Sequence, residues 1–125
     1  MSRKGISVLN ITGKGIYYPF DKINSNSASV NIEMYSIPYN FSLNFTCTDM
    51  TIPSYYSANS NSGNVHVNKD QIFKQKDGQG NIVICFALFE YNNVFEVKKD
   101  SIYVDVYDSS NTKLFSFDII LNIGN

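Results

Sequence analysis

The stretch Asn81-Ile82-Val83-Ile84-Cys85-Phe86-Ala87-Leu88-Phe89-Glu90-Tyr91 decides the fold. Its apolar residues occupy both alternating faces, and its neighbours in sequence alternate as half-buried strands do. A strand apolar on both faces is expected to lie centrally in a β fold, covered on each side. The turn Lys76-Asp77-Gly78-Gln79-Gly80 leads into it, and Tyr91-Asn92-Asn93-Val94 follows with two residues that tolerate left-handed backbone angles. That pair predicts a two-residue hairpin loop and a chain that doubles back.

Outward from this centre, apolar positions recur at every second residue. Ala28, Val30, Ile32 and Met34 alternate with polar neighbours, Ile37-Pro38-Tyr39-Asn40 turns the chain, and Phe41, Leu43, Phe45 and Cys47 alternate again. These two runs are expected to form a hairpin. Ile102, Val104 and Val106 form one further strand, Asp108-Ser109-Ser110-Asn111 turns, and Phe115, Phe117, Ile119, Leu121 and Ile123 form another. Nearer the start, Ile6 to Ile11 closes on Thr12-Gly13-Lys14-Gly15, Ile16 to Phe20 contains Pro19 and suits an edge, and Asp21 to Ser27 is a loop. Residues 49 to 64, with Pro53, Tyr55, Tyr56 and a Ser/Asn tract, read as a long exposed loop.

No helical period and no repeat interrupts this pattern. About eight short strands over residues 1–125 predict a single all-β domain, a two-sheet antiparallel β-sandwich of immunoglobulin-like or jelly-roll order. The 43% hydrophobic content against 17% charged residues excludes a disordered chain.

Lys and Arg number 10 and Asp and Glu 11, scattered along the chain, so no polyanion-binding patch is legible and no nucleic-acid partner is expected. A net charge of -1 with 9 Tyr and 9 Phe removes the self-repulsion that keeps small proteins apart. No apolar stretch is long enough to span a membrane, and the N-terminal residues lack a signal-peptide pattern. The expected location is therefore cytoplasmic at synthesis, with incorporation in a particle or export by a non-classical route left open. The scarcity of Ala and Arg beside abundant Asn, Ile and Tyr suggests an AT-rich coding genome, of phage or bacterial type.

Cys47 and Cys85 fall in strands, and without an export signal they read as two buried free thiols rather than an inter-sheet disulfide. With a single histidine, His66, set between Val65 and Val67, neither a zinc site nor a nucleophilic triad can be assembled. Asp77, Gln79 and Asn81 alternate as calcium ligands do, yet Asp, Asn and Gly serve turns for backbone reasons alone. No catalytic residues, no metal and no cofactor are expected, and the chain is not expected to be an enzyme.

Tyrosines are the candidates for contact. Tyr17, Tyr18, Tyr55 and Tyr56, with Asn59 and Asn61, are expected at edges or loops, where a rigid ring with one polar atom suits a protein interface. The sequence thus predicts a non-enzymatic structural module that packs with copies of itself, as a homo-oligomer, or with partner proteins in a virion, phage-tail or secretion-type assembly. The alternative is a lectin-like sandwich in which the same Tyr and Asn, with Asp77, bind a glycan.

Overall fold

The computed structural model describes residues 6–12, 16–19, 29–47 and 53–124, with side chains over 31–46 and 53–124. Among the described residues ten strands follow in order: β1 (Ile6–Thr12), β2 (Ile16–Pro19), β3 (Ser29–Ile37), β4 (Asn40–Cys47), β5 (Tyr55–Ser60), β6 (His66–Gln71), β7 (Phe73–Lys76), β8 (Ile82–Asn92), β9 (Lys99–Tyr107) and β10 (Lys113–Ile123). They form two five-stranded sheets, ordered β2-β1-β4-β8-β7 and β3-β10-β9-β5-β6. The chain is an all-β sandwich. The turn expected at Gly13 to Gly15, the loop at Asp21 to Ser27 and residues 49 to 52 lie outside the described residues.

The strand order separates the two topologies that the sequence left open. Taking β1, β4, β7 and β8 as strands A, B, D and E, and β5, β6, β9 and β10 as C, C′, F and G, the sheets read A-B-E-D and G-F-C-C′, the immunoglobulin-like order. One pairing departs from an all-antiparallel sheet: β3 lies parallel to β10, from Ser29 opposite Ser116 to Ile37 opposite Ile123.

The core lies between the sheets and is written by alternation. Phe41, Leu43 and Phe45 on β4 face Ile102, Val104 and Val106 on β9 and Phe117, Ile119 and Leu121 on β10, all buried. Edge-to-face aromatic contacts knit the layers, with the Phe45 ring 5.7 Å from Tyr56 and 5.3 Å from Phe117. Cys85 is a buried free thiol, raised above its ordinary pKa by burial.

Three local expectations are corrected by this topology. β3 and β4 form no hairpin, because the chain crosses from the second sheet to the first at Pro38 and Tyr39. Asn92-Asn93 is no two-residue hairpin loop either: β8 and β9 belong to different sheets, and the left-handed residue of that connection is Glu96, at φ 53. The segment expected to be a loop from 49 to 64 contains β5, an interior strand paired to both β6 and β9.

The connection from β6 to β7 is a strand that changes sheets. Ile72, 1% exposed, is the pivot: its side chain enters the core and its N–H donates to the Ser54 carbonyl at 2.9 Å, while the chain leaves the second sheet for the first. Beyond it β7 and the start of β8 run out as a hairpin closed by Asp77 to Asn81. Asp77 Oδ1 accepts the N–H groups of Gln79 at 2.8 Å and Asn81 at 3.0 Å, and Gly80 sits at φ 88, a conformation that favours glycine.

Candidate binding surfaces

A polar cleft of about 440 Å³ opens at the end of the sandwich where β5 starts, β6 ends and β9 turns into β10. Asp108 shapes the turn: its Oδ1 accepts Ser110 N–H at 2.8 Å and Thr112 N–H at 3.0 Å, and Asn111 adopts φ 67, which asparagine tolerates. Asn111 Oδ1 then accepts the Tyr55 hydroxyl at 2.7 Å. Ser54, Lys69, Asp70, Gln71, Lys74 and Ser109 complete the lining.

Tyr55 is thus brought to a cleft, but its ring is already covered. Tyr107, its cross-strand partner, stacks on it with centroids 4.9 Å apart and planes 11° from parallel. The Lys69 ammonium lies 4.6 Å from the Tyr55 centroid, and with one face filled by Tyr107 it takes the other. A sugar ring has no bare face of Tyr55 to stack on unless Lys69 moves.

Tyr56 is not an exposed contact residue. The strand alternation of β5 turns it inward, where it is 1% exposed, donates to the Leu88 carbonyl at 3.2 Å and has its pKa pushed up to about 12 by burial and by the nearby Asp70. Asn59 and Asn61 are exposed but lie at the far end of β5 from Tyr55, so they do not share its cleft. Tyr17 and Tyr18 belong to the edge strand β2, and their side chains lie outside the described residues. Asp77 is at the tip of the β7–β8 hairpin, its carboxyl held below the usual 3.8 chiefly by the N–H groups of Asn81 and Gln79. Among the described residues no three His, Cys, Asp or Glu side chains converge as a metal-binding group.

The strongest apolar surface is one the tyrosines did not indicate. β8 buries Cys85, Ala87, Phe89 and Tyr91 on one face but exposes the other, leaving Phe86 37% and Leu88 53% open, with Ile84 half-buried between them and the hairpin tip. The expectation that this run is buried on both faces is therefore corrected: among the described residues its outer face stays largely exposed. Phe73 of β7, 51% exposed, pairs with Phe86, their rings 5.7 Å apart and 29° from parallel, and Val83, 56% exposed, extends the patch at a bulge opposite Gln75 and Lys76. A contiguous apolar face of this kind marks a contact site more often than isolated exposed residues do.

A second bare apolar pair, Val94 and Phe95, sits in the β8–β9 connection, 69% and 66% exposed. A buried polar network braces that connection. Asn93 Oδ1 accepts Val97 N–H at 3.0 Å, its Nδ2 donates to the Val97 carbonyl at 3.0 Å, and its N–H donates to Asn40 Oδ1 at 2.9 Å. Asn64 Nδ2 donates to Asn93 Oδ1 at 2.9 Å and to the Tyr91 hydroxyl at 3.2 Å, which in turn donates to Asp100 Oδ2 at 2.6 Å.

No protein-family model matches the sequence, and no curated protein is similar to it. Among solved structures, the chain is similar to the fibronectin(III)-like modules of Clostridium thermocellum CbhA, with 13% identity over 93% of this chain and 95% of that one and a TM-score of 0.39. It is also similar to the N-terminal domain of PorA, with 13% identity over 94% of this chain and 99% of that one and a TM-score of 0.33. Among the described residues no helix is long and apolar enough to cross a membrane.

Proposed function

We propose that this chain is a non-enzymatic immunoglobulin-like module that works by packing against copies of itself or against partner proteins in a larger assembly. The observation that carries the reading is the bare outer face of β7 and β8, where Phe73, Phe86 and Leu88 are exposed while β8 packs Cys85, Ala87, Phe89 and Tyr91 on its other face. Fully burying such a side chain is worth roughly 1.5–3 kcal/mol, and Phe73, Phe86 and Leu88, at 51%, 37% and 53% exposure, each retain a part of that gain for association. The glycan-binding alternative is less well supported, because Tyr55 has both ring faces occupied.

The test reads assembly and fold separately. Phe86→Ser combined with Leu88→Ser removes no residue of the inter-sheet core, so the circular dichroism spectrum is expected to be retained while the unfolding midpoint falls modestly with the lost Phe73–Phe86 contact. Light scattering over a wide concentration range is expected to show wild type heavier than the variant. For a partner protein, a photo-crosslinking side chain at position 88, irradiated in the producing cell, is expected to yield one discrete product. A wild-type monomer at every concentration together with no crosslinked product overturns the reading.

A further inference from the structure

β7 ends the first sheet with an open edge. Among the described residues Phe73–Lys76 pairs with β8 on one side only, and all four residues are exposed. Alternate N–H and C=O groups of such a strand point away from its one partner and form a template for another strand.

The two sides of this edge differ in chemistry. Phe73 and Gln75 share the apolar outer face with Ile84 and Phe86, their cross-strand partners. Lys74 points to the other side, where it and Lys69 line the polar cleft, and Lys76 follows Lys74 by the two-residue strand period. Among the described residues none of these lysines has a carboxylate within ion-pair distance, and the ion pair found is Lys113 with Asp105, at 4.0 Å. Asp70 lines the same cleft and accepts Gln71 N–H at 2.8 Å, and Asp77 is held by its turn, so near β7 the three lysines Lys69, Lys74 and Lys76 outnumber these two carboxylates.

We infer that the open edge of β7 receives an extended segment of a partner protein as an added strand, one whose side chains alternate between apolar, beside Phe73, and acidic, beside Lys74 and Lys76. The inference rests on the reading of this chain as a protein-contact module and adds the chemistry and pairing mode of the partner. A second copy of β7 is the wrong occupant, because laying β7 against β7 crowds four lysines onto one short pairing, and like charges across strands destabilise it. An acidic strand reverses that sign, and its apolar alternate residues cover Phe73.

The test uses the whole chain and two synthetic heptapeptides with blocked ends, one alternating Val and Glu, the other Val and Lys, followed by amide NMR. The Val/Glu peptide is expected to shift the amide signals of Phe73 to Lys76 with a dissociation constant of about 1 mM, the scale of a short strand that must be ordered on binding. The Val/Lys peptide is expected to leave them in place. Lys74→Glu combined with Lys76→Glu is expected to weaken Val/Glu binding about tenfold and admit the Val/Lys peptide, with the preference fading at high salt. β7 amides that ignore both peptides, or answer both equally, overturn the inference. So do β7 amides that shift with protein concentration alone, which identifies a second copy as the occupant. If Phe86→Ser with Leu88→Ser abolishes assembly while the β7 amides stay silent, the outer face is the contact and the edge is not, so the functional reading survives and this inference falls.

Discussion

Asp100 is the residue whose loss should cost the most for the fewest atoms changed. It is 6% exposed and accepts four hydrogen bonds: Ser101 N–H at 2.8 Å and Ser62 N–H at 3.1 Å on Oδ1, the Tyr91 hydroxyl at 2.6 Å and the Ser62 hydroxyl on Oδ2. Asp100→Ala strands all four donors. The Ser62 hydroxyl can turn to Ser60 Oγ, 3.3 Å away, so three buried or half-buried donors lose their partner at roughly 1–3 kcal/mol each, and local relaxation brings the expected total to about 3–5 kcal/mol. Asp100→Asn keeps one carbonyl oxygen for the two N–H groups and presents an amide to hydroxyls that can rotate to accept. Its expected cost is about 1–2 kcal/mol, the charge assistance alone. The assay is urea unfolding at neutral pH with an unchanged m-value, joined to hydrogen exchange at Val97, whose bracing by Asn93 hangs on the same network. An Asp100→Ala loss below about 1 kcal/mol, or an Asp100→Asn loss equal to it, refutes the account of this network as a set of buried satisfied donors.

Other measurements test separate parts of the structure. Tyr56→Phe removes only the bond to the Leu88 carbonyl and is expected to cost about 1 kcal/mol, whereas Tyr56→Ala opens the core and is expected to cost about 3–5 kcal/mol, both read by denaturant midpoint. Burial raises Tyr56 and Tyr91 to about 12 from 10.0, so their contribution to stability is intact below pH 10 and is lost as the pH climbs toward 12; an ultraviolet titration should show two tyrosines ionising only in that range or on unfolding. Asp77 has the opposite sign: its folded pKa lies below 3.8, so its contribution is complete above that value and is lost as the pH falls through the folded pKa. Asp77→Asn is therefore expected to flatten the acid limb of the stability curve while leaving neutral-pH assembly unchanged, and an acid limb identical to wild type counts against the turn as the cause.

The alternation of β3, β4, β9 and β10 was legible because each strand buries one face, and a one-face strand writes its burial parity into its sequence. Ile32 and Met34, Phe41 to Phe45, and Phe115 to Ile123 all point where the two-residue period places them. The connections were not legible in the same way. Ile37-Pro38-Tyr39-Asn40 has the local chemistry of a tight turn, yet what fixes its course is distant: Gly124 N–H donates to the Ile37 carbonyl at 2.7 Å, tying the end of β3 to β10 in the second sheet. Asn93 looks like a residue chosen for left-handed backbone angles but acts through its buried side chain, bridging Asn64, Val97 and Asn40. Partners fifty residues away leave no mark on a local window. Tyr56 was misplaced for a simpler reason, since a Tyr-Tyr pair at the start of a strand must send one ring in and one out, and only the neighbours of β5 determine which.

The misreading of β8 carries the functional argument. Eight consecutive apolar residues, Ile82 to Phe89, signify a strand covered on both faces, and hydrophobicity alone reports that need for cover without saying which molecule supplies it. Within this chain the cover is one-sided. Ala87 and Phe89 are buried toward the second sheet, whereas Phe86 touches the Phe73 ring and it and Leu88 are otherwise exposed among the described residues, on a sheet whose next strand, β4, turns the polar Ser42, Asn44 and Thr46 to the same outer face. A strand that simply faced water would alternate as β4 does, and the contrast between these two paired strands locates the surplus apolar surface on the β7–β8 side of the sheet. The residues that made the sequence look like the centre of a fold are thus half core and half exposed apolar face, and it is the exposed half on which the proposed contact role rests.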